Sequence, residues 1–282
     1  MQYQSSVLRS VNPSCGTGAM PNTTVTDPFA SRLFVQSLQK GLALLEAFAN
    51  QPGELTLSAL AARAGLDRST AQRMAHTLAA LGYLERGGNG RGYRLGKRVL
   101  DRSFDYLRGN ALVQRATPLL VDLQKSSGER VDLSLFDDLT IIYAARRPSK
   151  RETFFATLIG RRIPAFSASG GRAAMAHLTD AEVDSILARS RLVPTTSKTI
   201  VAPDLIRRKV REARESGFAL ACEESLLGEV ALAAAVLDHR ARPLAAIHIA
   251  GSLADWQPAE FARRFAPLAI EAAQALSQTP AA

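Results

Sequence analysis

The chain has little cysteine: two in 282 residues, Cys15 and Cys222, with no close partner and no spacing that would ligate a metal. That removes a disulfide framework or a cysteine metal site as an organising device, and it fits a reduced intracellular setting. No stretch approaches the roughly 20 apolar residues needed to cross a bilayer, and the first thirty residues lack the charged start and unbroken apolar core of a secretory signal. The expectation is a cytoplasmic protein with no membrane partner. A nucleophile elbow, a metal-ligand set and a glycine-rich phosphate loop are also missing, so no catalytic residue, metal or cofactor is expected. With 46% hydrophobic and 22% charged residues, the composition is that of an ordinary globular protein with room for one or two cored domains.

Acidic side chains are scarce locally. Between Arg63 and Arg98 there are two, Asp67 and Glu85, against eight Lys or Arg. The net charge is +9; residues 1–108 carry 13 basic and 7 acidic side chains, and the remaining 174 carry 22 and 19. A basic head on a near-neutral body suits a polyanionic partner. Charge alone is weak evidence, because such arginines can simply be solvated on a small helical bundle.

The pattern from Leu55 to Leu95 says more. Two short helices are joined at Gly65-Leu66-Asp67, the glycine standing where helices commonly end in a left-handed residue. Ser69 followed by Gln72 has capping-box spacing for the start of the second helix, and Gly82 closes it. Ala71, Met74, Leu78 and Leu81 share one face of that helix, which leaves Gln72, Arg73, His76 and Thr77 on the other. A helix placed this way after a Gly-bearing turn enters the DNA major groove in helix-turn-helix proteins, where Arg pairs with guanine edges and Gln with adenine edges. A hairpin follows, Tyr83 to Arg86 and Arg91 to Leu95 around Gly87-Gly88-Asn89-Gly90, with Asn89-Gly90 suited to positive φ. Arg86, Arg91 and Arg94 around its tip read as a wing on phosphates or the minor groove. The expected partner is double-stranded operator DNA, touched by Ser69, Thr70, Gln72, Arg73, His76, Arg86, Arg91 and Arg94.

The rest of the chain reads as follows. Residues 1–30, rich in Ser, Thr, Asn, Pro and Gly, suggest a disordered tail. Residues 31–95 form the winged helix-turn-helix, beginning with an amphipathic helix over Val35 to Ala49 whose stripe is Val35, Leu38, Leu42 and Leu45 and which ends at Gln51-Pro52-Gly53. Residues 96–111 form a connecting helix with Val99, Leu100, Phe104 and Leu107 on one side, a natural place for subunits to meet. In residues 112–282 a helix over Leu112 to Ser126 should kink or restart at Pro118. Strands are expected at Val131 to Leu135, Leu139 to Ala145, Thr153 to Leu158, Phe218 to Cys222, Val230 to Leu237 and Leu244 to Ala250. Gly160 to Gly171 is a loop leading into a short helix from Arg172 to His177. Thr179 with Glu182 opens a helix burying Val183, Ile186 and Leu187, Asp204 to Glu215 forms another ended by Gly217, and a last one after Pro258 places Phe261, Phe265, Leu268, Ala272 and Leu276 on one face. Strands in the middle with helices at the ends indicate an α+β domain.

The order of these features resembles the IclR-type transcriptional regulators from Phe34 onward. The matching pieces are SLQKGLALLEAF, LTLSALAARAGLDRSTAQRMAHTLAALGYL, GRGYRLGKRVL, GRRIPAFSASGGRAAMAHL, RESGFAL and LAAAVLDHRARPLAAIHIAGS. The resemblance implies a winged helix-turn-helix joined by a helix to a GAF-like effector-binding domain, a small organic acid as effector, and a homodimer or dimer of dimers on DNA. IPAFSASGGRAAMAHL is most similar to the branch that senses aromatic acids. By position, the family's ligand loop corresponds to Ser167, Ala168, Ser169 and Gly170, with Arg172 just beyond; further pocket positions fall at Ala221, Ala231, His248 and Ala250. Members that bind glyoxylate-like acids tend to carry polar side chains at those last four places, so three alanines and a histidine imply a larger or less polar ligand.

A carboxylate needs convergent donors, and Ser169, the Gly170-Gly171 amides, Arg172 and His248 are the candidates. Each has a plainer reading: His248 as a core histidine, Arg172 as a solvated helix-start residue, the glycines as a tight turn, and Cys222 as buried packing rather than a redox switch. Two rival functions remain open at this stage. One is an enzyme hidden in the second domain around Cys222, Glu223, Glu224 and His248, although Cys222 has no basic neighbour in sequence to activate it. The other is an architectural DNA protein without a ligand.

Overall fold

The computed structural model describes residues 31–49, 51, 53–88, 90–149 and 159–277. The expected tail over residues 1–30, Cys15, Pro52, Asn89 of the hairpin turn and the strand expected at Thr153 to Leu158 lie outside the described residues. The chain divides into two units between Phe104 and Asp105.

The first unit orders α1 (Gln36–Glu46), β1 (Leu55–Thr56), α2 (Leu57–Ala64), α3 (Arg68–Ala80), β2 (Leu84–Arg86) and β3 (Gly92–Leu95). Its three strands pair antiparallel in the order β1-β3-β2, so the hairpin of β2 and β3 gains a short third strand that the sequence pattern did not announce. Gly65 ends α2 at φ +65°, as its position suggested. The core gathers Leu44, Phe48, Leu60, Ala71, Ala75, Leu84 and Tyr93. The stripe expected to face this core from the first helix is corrected: Val35, Leu38 and Leu42 are each at least 50% exposed, and Leu44, Ala47 and Phe48 are buried instead. That helix has apolar residues on two flanks, and periodicity alone cannot choose between them. Leu81 is likewise exposed, and Ala75 is buried beside Ala71.

α4 (Arg98–Gly109) follows, with none of its residues buried; Leu100 and Phe104 are exposed, and Leu107 packs on the core of the second unit. Asn110 then caps α5 (Ala111–Ser127), its side chain accepting from the Val113 amide at 3.1 Å. Pro118 starts no new helix; it sits inside this one. Next come β4 (Arg130–Asp137), β5 (Thr140–Arg147), β6 (Arg162–Pro164), a 3-10 turn over Ala165–Ser167, α6 (Ser169–Met175), α7 (Asp180–Arg189), α8 (Pro203–Ser216), β7 (Ala219–Cys222), β8 (Glu229–Leu237), β9 (Pro243–Ser252) and α9 (Pro258–Ser277). The segment expected as a loop up to Gly171 thus holds an edge strand and the first three residues of α6, which starts at Ser169 and not at Arg172. The Thr179 and Glu182 capping box is present, and Gly217 ends α8 at φ +80°.

The six strands form one antiparallel sheet, β6-β5-β4-β9-β8-β7, within an α+β fold. Strand alternation divides it into two unlike faces. One carries Val131 and Leu133 of β4, Ile247 and Ile249 of β9, and Leu232 and Val236 of β8; these pack on Leu120 of α5 and on Phe261 and Phe265 of α9. Full burial of each such aliphatic side chain contributes about 1.5–3 kcal/mol. The other face carries Arg130, Asp132 and Ser134 of β4, Ala246, His248 and Ala250 of β9, and a set of alanines on β7 and β8, with α6 laid across them. Small residues are needed there because α6 approaches closely. A Cβ on Gly170 would lie 2.3 Å from His248 Cε1, and one on Gly171 would lie 2.2 Å from the Ala165 carbonyl oxygen.

Candidate nucleic-acid interface and effector pocket

α3 is started by Asp67, not by the Ser69 and Gln72 capping box expected from spacing. The Asp67 carboxylate accepts from the Thr70 amide at 2.8 Å and from the Ser69 hydroxyl at 2.7 Å. These bonds from Thr70 and Ser69 hold its pKa well below the usual carboxylate range. Asp three residues before an amide serves as well as Ser at that role, and the cap stands two residues earlier than expected, at Asp67. Once Ala71 and Ala75 are buried, Gln72, Arg73 and His76 stand exposed on the opposite side, with Ser69 exposed and Thr70 half-buried at the helix start.

The basic cluster of this unit is partly structural. Arg63 donates to the Ala47 and Ala49 carbonyls at 2.6 and 3.0 Å, closing the end of α1, and Arg98 donates to the Leu81 carbonyl at 2.8 Å, closing α3. In the hairpin, Arg94 pairs with Glu85 at 3.0 Å and Arg86 lies over the Tyr93 ring at 4.4 Å. Both side chains are exposed, as is Arg91. Glu54 accepts from the Gly88 amide at 2.9 Å and so holds the hairpin tip. Arg68, the first residue of α3, is exposed and bonded to Ser58 at 3.1 Å; the sequence reading counted it as charge but did not place it on the interface.

In the second unit a cavity of about 10 Å³, roughly the space of one water, lies where α6 meets the sheet. Tyr143, Ala168, Ser169, Ala221, Glu223, Glu224, Ser225, Glu229 and Ala231 line it. Of the expected effector residues, Ser169, Ala221 and Ala231 reach this space. Ala250 is buried in the sheet between Arg130 and Ala231, Gly170 is pressed against His248, and Ser167 is buried with its hydroxyl towards the Pro164 carbonyl at 3.4 Å.

Arg172 is the main correction. Its side chain is fully buried and neither solvated nor open to a ligand: two nitrogens meet Glu224 at 2.5 and 2.7 Å, and Nε donates to the Phe166 carbonyl at 2.8 Å. His248 is also committed, with Nε2 bonded to Ser134 at 2.7 Å and Nδ1 to Ser169 at 3.3 Å. Burial pushes its pKa down to about 3, so the ring is neutral, and it reaches the cavity only through Ser169. Cys222 is half-buried against the main core, and burial raises its thiol pKa, which fits packing.

What sequence reading missed is a buried charge cluster on β4, β5 and β8. Arg130 bonds Asp132 at 2.9 Å and Glu229 at 2.7 Å, and Arg146 Nε stands 3.7 Å from Asp132. Burial pushes Asp132 up to about 6 against the opposing pull of Arg130 and Arg146, and its Oδ1 accepts no hydrogen bond among the described residues. The signal was the alternation Arg130, Asp132, Ser134, which in a strand is ordinarily the mark of a wet face.

A model of the IclR helix-turn-helix domain matches residues 37–88, and one described as bacterial transcriptional regulator IclR C-terminal matches residues 104–278. The transcriptional repressor IclR of Escherichia coli (strain K12) is 30% identical over 78% of this chain and 81% of its own. The Pca regulon regulatory protein of Pseudomonas putida is 28% identical over 86% of this chain and 83% of its own. The crystal structure of an IclR homolog from Microbacterium hydrocarbonoxydans, complexed with 4-hydroxybenzoate, shares the fold with a TM-score of 0.70 and 23% identity, over 86% of this chain and 97% of that one. The matched families and relatives are transcriptional regulators, not enzymes.

Proposed function

Because the chain belongs to the IclR family of transcriptional regulators, and so is a DNA-binding regulator, we propose that it reads its operator through α3 and answers to a small organic acid held in the second unit. The observation that carries the first part is the exposed row Gln72, Arg73 and His76 behind the buried Ala71 and Ala75. Arg73 and Gln72 pair with purine edges in the major groove, Ser69 and Thr70 meet phosphates at the helix start, and Arg86, Arg91 and Arg94 hold the backbone beside it. A DNA partner puts this work in the cytoplasm. The apolar side chains left exposed on α1 (Val35, Leu38 and Leu42) and on α4 (Leu100 and Phe104) support a homodimer, with two copies of α3 on successive half-sites.

The effector acts by population shift, binding one arrangement of the dimer better than the other. Its seat is the space bounded by Tyr143, Ser169, Ala221 and Ala231, where alanines leave room for a ring once the lining moves. An aromatic acid is the class that the resemblance to Pca-type regulators favours. Fluorescence anisotropy with the chain's own upstream region and with random duplex, at two salt concentrations and with aromatic and short-chain acids added, tests the reading. Specific binding about a thousandfold tighter than random, altered by one acid, is the expected outcome. Equal binding to random DNA, unmoved by any acid, would return the protein to an architectural role.

A further inference from the structure

The cavity poses a charge problem for an acid. Three of its lining side chains are glutamates, and the arginine on α6 that would have received a carboxylate is already closed by Glu224. An extra anion added to this space would sit unpaired among carboxylates, which burial makes strongly unfavourable. An acid therefore has to replace a negative charge that is already there.

Glu229 is the group placed to be replaced. It lines the cavity, its carboxylate meets Arg130 Nη1 at 2.7 Å, and its side chain is 15% exposed, whereas Arg130 and Asp132 are at 6% and 0%. It stands at the first position of β8, directly after the exposed Gly228, at the rim of the buried charge cluster. Its departure would take one negative charge from the buried set that also holds Arg130, Arg146 and Asp132. Glu223 and Glu224 are not equivalent: the first bonds the Gly228 amide at 3.0 Å, and the second is locked on Arg172.

We propose that Glu229 is a resident stand-in for the effector's carboxylate: in the closed cavity it occupies Arg130, and an incoming monocarboxylate takes its place there as Glu229 swings out. This rests on the reading of the cavity as the effector seat. The exchange conserves buried charge, opens the space that the cavity lacks, and makes Arg130 the anion receptor that the sequence had sought at Arg172.

The test uses the full chain and simple probes, sodium acetate and sodium benzoate, with sodium chloride at equal ionic strength and neutral benzamide as controls, read by thermal shift. In Glu229→Ala, either carboxylate should raise Tm by about 2 °C or more over chloride. It should half-saturate at about tenfold lower concentration than in the wild type, because the competitor is gone. The double variant Arg130→Met, Glu229→Ala should show no such gain, and benzamide should show none anywhere. If Glu229→Ala does not fold, Glu229→Gln keeps the volume and should shift in the same direction. A carboxylate response no larger in the Glu229 variants than in the wild type overturns the proposal. If benzoate stabilises wild type, single and double variants alike, the acid-effector reading stands and the exchange on Arg130 falls; if benzamide binds and neither carboxylate does, both fall.

Discussion

The outward side of α3 and the inner side of the six-stranded sheet are built by the same rule and end in opposite states. Each is the polar partner of a regular apolar repeat, Ala71 and Ala75 on the helix and Val131 and Leu133 on the strand. On α3 the polar row is left to water, and Gln72, Arg73 and His76 are exposed. On the sheet it is roofed by α6, and Arg130, Asp132, Ser134 and His248 are buried and bonded to one another or to neighbouring side chains. A polar row in contact with water can be completed by an outside molecule at little cost, whereas a covered row must be completed from within or destabilise the fold. The helix surface is thus open to a partner, while the sheet surface admits one only by exchange.

The largest effect expected from breaking this contrast is on the covered side. Glu224→Gln leaves the Arg172 guanidinium buried without a counter-charge and should lower stability by about 3–5 kcal/mol, read as a lower urea midpoint. Arg172→Met together with Glu224→Leu should recover most of that loss. A neutral single variant would mean that the pair is not truly sealed from water.

His248 gives the next effect. Its folded pKa of about 3 lies below the unfolded value of roughly 6.5, so between those limits the unfolded chain binds more protons and stability falls as pH is lowered. Asp132 has the opposite sign: at about 6 it keeps a proton that the unfolded chain releases near pH 4, and its contribution declines as pH rises between the two. In wild type these trends oppose one another from about pH 4 to 6. Comparing wild type with His248→Gln isolates one proton, and the wild-type slope should be more positive by about 1.4 kcal/mol per pH unit over that window. Parallel curves would mean that the imidazole is protonated in the fold.

On the open side, Arg73→Ala should cost about 1–3 kcal/mol of operator affinity and relax discrimination at one or two base positions. Arg91→Ala should weaken all sequences alike and reduce the salt slope by about 1. Wild-type binding by both would place the reading surface elsewhere. The smallest change sharpens the cap assignment: Asp67→Ala should lower Tm measurably and Ser69→Ala should lower it less, the reverse of the order expected from capping-box spacing.

Much of the architecture was legible because it rests on local chemistry. Gly65 and Gly217 mark helix ends by their freedom at positive φ, Thr179 and Glu182 mark a start by reciprocal bonds, alternation located β4, and short apolar runs located β5, β8 and β9. What failed depends on covering. Val35, Leu38 and Leu42 form as good a stripe as any in the chain, but the other flank, through Leu44, meets the core. The candidate interface on α3 could be read because a short helix after a tight turn has only one apolar side. The cavity could not, since Arg172 meets Glu224 across 52 residues and Arg130 on β4 meets Glu229 on β8 across the intervening strand β9. No spacing in the sequence encodes those meetings.

The fit between Gly170 and His248 has a consequence for how such a fold can change its specificity. A single methyl at Gly170 collides with the imidazole, and that ring in turn fixes Ser134 and Ser169. The bare backbone therefore cannot be exchanged while the ring stays, and a lineage drifting towards a new signal molecule must replace the ring first or alter both in step. The alanines around them carry no such lock, so diversification should begin at Ala221 and Ala231 and arrive at the glycine last.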